Sequence, residues 1–227
     1  LFADKKNIAI SIALLFHVSG AIGILYTPYG QWFIENTTLN LLLMVGLLLY
    51  VQPKHSVAFY VFAIVAFATG MAVEIIGVNT GKLFGSYSYG NVMGPKLHGV
   101  PYLIGLQWFV TVFCAGTIMH NLHDWAMQRT GGIKPLFPTW ARNLSLLVDG
   151  ALLAVLFDYV MEPVAIKLGF WFWKDGEVPY FNYQCWFLIS VLLLVVYRLL
   201  RFEKANQFAL HLFIIQLLFF MALRIGL

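Results

Sequence analysis

Seven apolar runs, at roughly 8–27, 37–51, 57–77, 102–120, 143–161, 183–200 and 206–224, leave this chain few ways to fold. So many long runs exceed what the core of a 227-residue globule needs, and lipid is the solvent that suits them. In lipid every backbone N–H and C=O must find a partner inside the protein, which leaves helices or a closed barrel. The short alternating segments of a barrel are absent. The chain therefore reads as all-α, a polytopic transmembrane bundle of about seven helices forming one integral membrane domain over 1–227. The second run is the weak one. Its apolar stretch, Leu39 to Val51 ahead of Pro53, is shorter than the roughly 20 residues that cross a bilayer.

Composition agrees: 61% of residues are hydrophobic and 11% charged, against roughly 25% charged in an ordinary soluble domain. The net charge of +4 is scattered through the connections between runs, with no basic stripe interleaved with aromatics, so no nucleic-acid partner is expected. With the N-terminus inside, nine basic residues (Lys5, Lys6, Lys54, Arg129, Lys134, Arg142, Arg198, Arg201, Lys204) face the cytoplasm. Five (Lys82, Lys96, Lys167, Lys174, Arg224) face outward, so the expected placement is the inner cell membrane with the N-terminus cytoplasmic. Trp32, Trp125, Trp140, Trp171 and Trp173 fall near run ends, where interfacial belts collect indoles. Cys114 and Cys185 stand alone in apolar runs and read as small buried hydrophobes. The first run ends at Thr27 and Pro28 without a small-x-small cleavage signal, so it reads as a retained helix.

Three polar excursions interrupt the runs, at 78–101, 121–142 and 162–182. The middle one, with Gly131, Gly132, Pro135 and Pro138, reads as a cytoplasmic connection. The first is rich in glycine and carries Tyr87 and Tyr89 two residues apart. A disordered linker would carry more charge and fewer rings, so an ordered reentrant or lid-like loop at the outer face is expected. A second ordered outer loop is expected near 162–182, where Phe170 to Trp173 supply four further aromatic positions.

Glu74, Asp158 and Glu162 lie inside or at the rim of apolar runs, and a carboxyl group there needs a reason. If the fifth helix persists to residue 162, Asp158 and Glu162 share a face, and two carboxylates side by side favour a shared proton. Glu74 ends the third run at the same rim, so all three can converge on one lateral cavity. Asp149 lies half a turn round the helix from Asp158 and points toward another face, with capping or pairing between helices as its plain role. His120 and His123 have a spacing that brings two imidazoles together, but six histidines in all, without matching clusters, do not make a metal site, and none is expected. No phosphate-cradling glycine motif is present.

The run Glu74 to Tyr89, with Gly77, Gly81, Gly85 and Tyr87, followed by Leu97 to Tyr102 and Trp108, resembles the carotenoid biosynthesis proteins that hydrate acyclic carotenoid ends. Asp149, Asp158, Met161 to Pro163, Phe170 to Trp173, Pro179, Asn182 and Trp186 are similar to that family's second block, so the resemblance spans about 60–200. The family commonly has Asp-Pro at the end of the fifth helix, where this chain has Glu162 and Pro163; the carboxylate is kept. The resemblance implies a carotenoid or other long isoprenoid substrate, entering from membrane lipid, and a hydro-lyase that needs no cofactor. It leaves open bacterioruberin precursors or the free end of monocyclic carotenes.

Hydration of a trisubstituted terminal alkene protonates the less substituted carbon and captures the tertiary cation with water. Apolar burial of a carboxylic acid helps it hold a proton for such a step. Glu74, Asp158 and Glu162 are the expected catalytic residues. Tyr87, Tyr89, Trp108, Asp149, Trp171, Trp173 and Asn182 are the expected substrate-binding residues, with Tyr87, Tyr89, Trp171 and Trp173 offering ring faces to the cation. Two alternatives stay open at this point: an isoprenoid cyclase or isomerase that excludes water from the same kind of cation, and a non-enzymatic lipid carrier or transporter, for which an inverted repeat would be expected.

Overall fold

The computed structural model describes residues 2–129 and 138–227. Gly131, Gly132, Lys134 and Pro135 of the middle excursion lie outside them. Each of the seven runs is a helix: α1 (Phe2–Tyr26), α3 (Thr37–Val51), α4 (Val57–Thr80), α5 (Tyr102–Arg129), α6 (Thr139–Lys167), α7 (Tyr180–Leu199) and α8 (Ala209–Gly226). One short helix, α2 (Gly30–Glu35), was not anticipated. Six of the helices are long and apolar enough to cross a membrane, and α3, at 15 residues, is the short one. The protein is an all-α multi-pass membrane bundle.

Several boundaries move outward from the sequence reading, and the reasons are local. α5 continues to Arg129, so residues 121–129 of the middle excursion are helical. α6 continues to Lys167 with Pro163 inside it. A proline removes one N–H and crowds the preceding turn, but the chain on both sides of Pro163 is buried against its neighbours and carries the helix through. α4 begins where Ser56 Oγ accepts from the Phe59 N–H and ends at Gly81, which takes the left-handed conformation (φ +66°) and returns its N–H to the Gly77 carbonyl.

Two small ribbons sit at the rim where α4 and α6 end. β1 (Tyr87–Tyr89) pairs antiparallel with β4 (Trp171–Trp173), with Tyr87 opposite Trp173 and Tyr89 opposite Trp171. β2 (Lys96–Leu97) and β3 (Val100–Pro101) form a tight hairpin through His98 (φ +47°) and Gly99 (φ +86°). The Asn79 amide donates to the His98 carbonyl at 3.0 Å, tying this hairpin to the end of α4. Trp32, Trp125 and Trp140 are exposed as belt residues should be, whereas Trp171 and Trp173 are buried. Cys114 and Cys185 are both buried thiols.

α5 is the central helix, buried along most of its length. Its approach to α4 depends on small residues. A Cβ on Gly70 would stand 2.6 Å from Trp108 Cβ, and one on Gly105 would stand 2.6 Å from the Phe67 ring. That closeness brings the Trp108 indole to the level of Glu74.

Candidate active site

Period-two alternation in the β1–β4 ribbon divides its side chains between two faces. Ser88 and Phe172 point outward and are exposed, while Tyr87, Tyr89, Trp171 and Trp173 point down into the bundle. The rings meet across the strands, Tyr87 with Trp173 at 5.0 Å between centroids and Tyr89 with Trp171 at 5.9 Å. The result is a four-ring plate with polar tips directed at carboxylates.

Glu74, 4% exposed, receives three of those donors. Tyr87 and Tyr89 hydroxyls donate to Oε2 at 2.5 and 2.6 Å, and the Trp108 indole N–H donates to Oε1 at 3.0 Å. Glu162, 2% exposed, accepts from the Trp171 and Trp173 indoles on one oxygen, Oε2, at 2.8 and 3.0 Å. The Asn182 amide, in the first turn of α7, donates to Asp158 Oδ2 at 2.7 Å and reaches Glu162 Oε1 at 3.4 Å. Asp158 is 1% exposed, and no protein donor reaches its Oδ1 among the described residues. The hydroxyls of Tyr87 and Tyr89 are pushed far above the usual tyrosine range by burial first and by Glu74 next, so both remain donors at any working pH.

One cavity of about 530 Å³ joins these groups. Glu74, Asp158 and Glu162 line it together with Asn182 and the four ribbon rings. Trp108 and Trp186, stacked at 3.8 Å and 9° between planes, supply a flat wall. From there the space runs toward α1, α2 and α3, where the lining residues Phe16, Trp32 and Leu39 are exposed to the surroundings of the bundle. The opening is thus lateral, toward lipid.

The fold brings together nine of the ten residues expected from the sequence. Asp149 is the exception. It is exposed, accepts from Ser145 Oγ at 2.6 Å within its own helix, and has no place on the cavity wall. Its half-turn offset from Asp158 is the physical reason. His120 and His123 are engaged near the far rim, with Asp124 at 3.4 Å and Ser145 Oγ at 3.2 Å respectively. Among the described residues no group of three or more His, Cys, Asp or Glu side chains is arranged to hold a metal ion. The sequence reading missed His17, Gln107 and Gln216 on the cavity wall. Polar side chains in apolar helices were the signal that marks them.

The family model described as carotenoid biosynthesis protein matches residues 35–227. The chain belongs to that family. The matched stretch contains all three buried carboxylates and both strands of the aromatic ribbon; α1 and nearly all of α2 lie outside it. A relative within carotenoid biosynthesis is the bisanhydrobacterioruberin hydratase of Haloarcula japonica, 28% identical over 202 residues. That alignment takes in 81% of this chain and 63% of the relative, so the chain spans less than two thirds of the length of the protein it matches. No solved structure matches this chain.

Proposed function

We propose that this chain hydrates the terminal carbon-carbon double bond of an acyclic carotenoid end group, without a cofactor. The observation that carries the reading is the Asp158–Asn182–Glu162 arrangement at the inner end of a cavity open to lipid. Glu162 Oε2 faces two indole N–H groups, which only donate, so that oxygen is an acceptor and any proton sits elsewhere. Asp158 Oδ1 has no protein donor and is the oxygen from which a proton leaves.

The Asp158/Glu162 pair begins with one proton. Asp158 delivers it to the less substituted alkene carbon, and the π electrons form the new C–H bond, leaving a tertiary cation. A water oxygen bonds to the tertiary cationic carbon, and the proton released from the water returns to the carboxylate pair. Alkene and water become a tertiary alcohol, and the pair regains its original protonation. Tyr87, Tyr89, Trp171 and Trp173 present ring faces that favour the cation. Glu74, with three donors upon it, locks the ribbon over the cavity.

The test is expression in a host that makes lycopene or a monocyclic carotene and has no hydration activity, with mass analysis of the pigments. A gain of one water supports hydration; an unchanged mass with a new ring or double-bond pattern supports cyclisation or isomerisation instead. In the same host Asp158→Asn should lower the hydrated product by about 100-fold or more at equal protein abundance, the range of a lost general acid. Unaltered product from that variant removes Asp158 from the role.

A further inference from the structure

The cavity has a second polar station that the carboxylate chemistry does not use. α1 and α8 run parallel toward the ribbon rim: a Cβ on Gly20 would stand 3.5 Å from the Phe219 ring, and one on Gly226 would stand 2.7 Å from Leu25. Three residues before the first of those contacts on each helix are His17 and Gln216, both on the cavity wall. His17 is 4% exposed, with its ring edge-on to Phe219 at 5.3 Å. Its Nδ1 lies 2.8 Å from the Ala13 carbonyl, which can only accept, so Nδ1 carries the hydrogen and Nε2 of the neutral ring is an acceptor with no hydrogen-bond partner among the described residues. Gln216 is 6% exposed, and its amide has no hydrogen-bond partner among the described residues. An amide that opens on a largely apolar cavity wall calls for a hydrogen-bonding partner inside that cavity.

We infer that His17 and Gln216 form a second subsite of the cavity, which binds a hydroxyl group carried by the isoprenoid ligand away from its reacting end. The chemistry is complementary. A hydroxyl donates one hydrogen to His17 Nε2 and accepts one from the Gln216 amide, and a hydrocarbon satisfies neither. Of the two residues, His17 on α1 lies outside the stretch that the family model matches, and Gln216 on α8 lies within it. The inference concerns the same cavity as the proposed hydration but does not depend on turnover.

The test is ligand binding to the purified chain in lipid nanodiscs, read by quenching of tryptophan emission. The probes are linear isoprenoid alcohols of ten, fifteen and twenty carbons, each beside the hydrocarbon of equal length. At the one length that sets the hydroxyl between His17 and Gln216, the alcohol should bind about tenfold more tightly than the hydrocarbon, the worth of one good hydrogen bond. Gln216→Leu and His17→Phe should each reduce that preference to about threefold or less while hydrocarbon affinity stays within about twofold. Retained hydrocarbon binding also reports that the variant is folded, and Gln216→Met serves if the leucine variant is not. Glu162→Gln should leave the alcohol preference intact, which separates this subsite from the carboxylates. An equal affinity for alcohol and hydrocarbon at every length, as when the station holds only water, overturns the inference. So does a preference that survives both substitutions.

Discussion

Glu74 and Glu162 each gather three donors, yet the donors differ in kind, and that difference decides what an amide in their place would do. At Glu74, one oxygen faces an indole and the other faces two tyrosine hydroxyls. A hydroxyl accepts as readily as it donates. Glu74→Gln can therefore turn its carbonyl to Trp108 and donate its NH2 hydrogens to the Tyr87 and Tyr89 oxygens, with the two hydroxyl hydrogens turned into the cavity that both rings line. At Glu162 one oxygen faces two indoles, which force the carbonyl of a glutamine to that side. The NH2 then meets the Asn182 amide nitrogen, itself held by Asp158. One donor is left unmatched in a buried site, at about 1–3 kcal/mol. Thermal unfolding in detergent should accordingly show a clear loss of stability for Glu162→Gln and a smaller one for Glu74→Gln. Equal losses would mean that the hydroxyl pair does not reorient, and that the ribbon is held more stiffly than its exposed outer face suggests.

The β1–β4 ribbon is the element on which the site depends, and its docking leaves no room at one backbone position. A Cβ on Gly90 would stand 2.0 Å from the Gly169 carbonyl oxygen, while the Gly90 N–H donates to the Phe170 carbonyl at 2.8 Å. Gly90→Ala should lift the end of β1 off β4 at a cost of about 1–3 kcal/mol and separate the tyrosines from Glu74. Hydrated product should fall by at least about tenfold in consequence, while circular dichroism of the helices stays unchanged. Ser88→Ala on the outward face should do neither. Helices of this protein were legible because hydropathy accumulates over fifteen or more residues. The ribbon was not, because three residues per strand carry almost no periodic signal and the partners stand more than eighty positions apart. Tyr87, Tyr89, Trp171 and Trp173 were each visible as aromatic rings in polar excursions, but their pairing belongs to the tertiary fold. α2 escaped for a similar reason: six residues that begin at Gly30, just after Pro28, give no stripe to detect. The carboxylates Asp158 and Glu162 were the most legible feature of all, since a charge in an apolar run stands out at single-residue resolution and a spacing of four puts both on one face.

At the scale of the whole molecule, the question is which side of the membrane the ribbon faces, and α3 settles how the count of crossings runs. The residues that open α3, Asn36 and Thr37, line the cavity at the ribbon rim. At its other end the Gln52 amide donates to the Glu203 carbonyl at 2.7 Å, and the Asn206 amide donates to the Leu48 carbonyl and to Gln52 Oε1, each at 3.0 Å. Residues 203–206 connect α7 to α8 at the far rim. α3 thus joins the two rims in spite of its length, about 22 Å at the usual helical rise, with α2 lying ahead of it at the ribbon rim. Seven helices then alternate in direction, and from the nine basic residues against five we propose that the far rim faces the cytoplasm and the ribbon faces outward. A ribbon facing outward means that the cavity sits in the outer half of the membrane. Native thiols do not interfere with testing this, because Cys114 and Cys185 are both buried. Ser88→Cys on the ribbon and His55→Cys on the far rim each add one exposed thiol whose position is not itself on the cavity wall. In intact cells a membrane-impermeant maleimide should label Ser88→Cys and leave His55→Cys unlabelled until the membrane is opened. The reverse pattern would put the ribbon in the cytoplasm, and the cavity with it. It would leave the carboxylate geometry untouched but require the basic residues at 82, 96, 167, 174 and 224 to dominate insertion over a larger opposing set, against the usual weight of such charges.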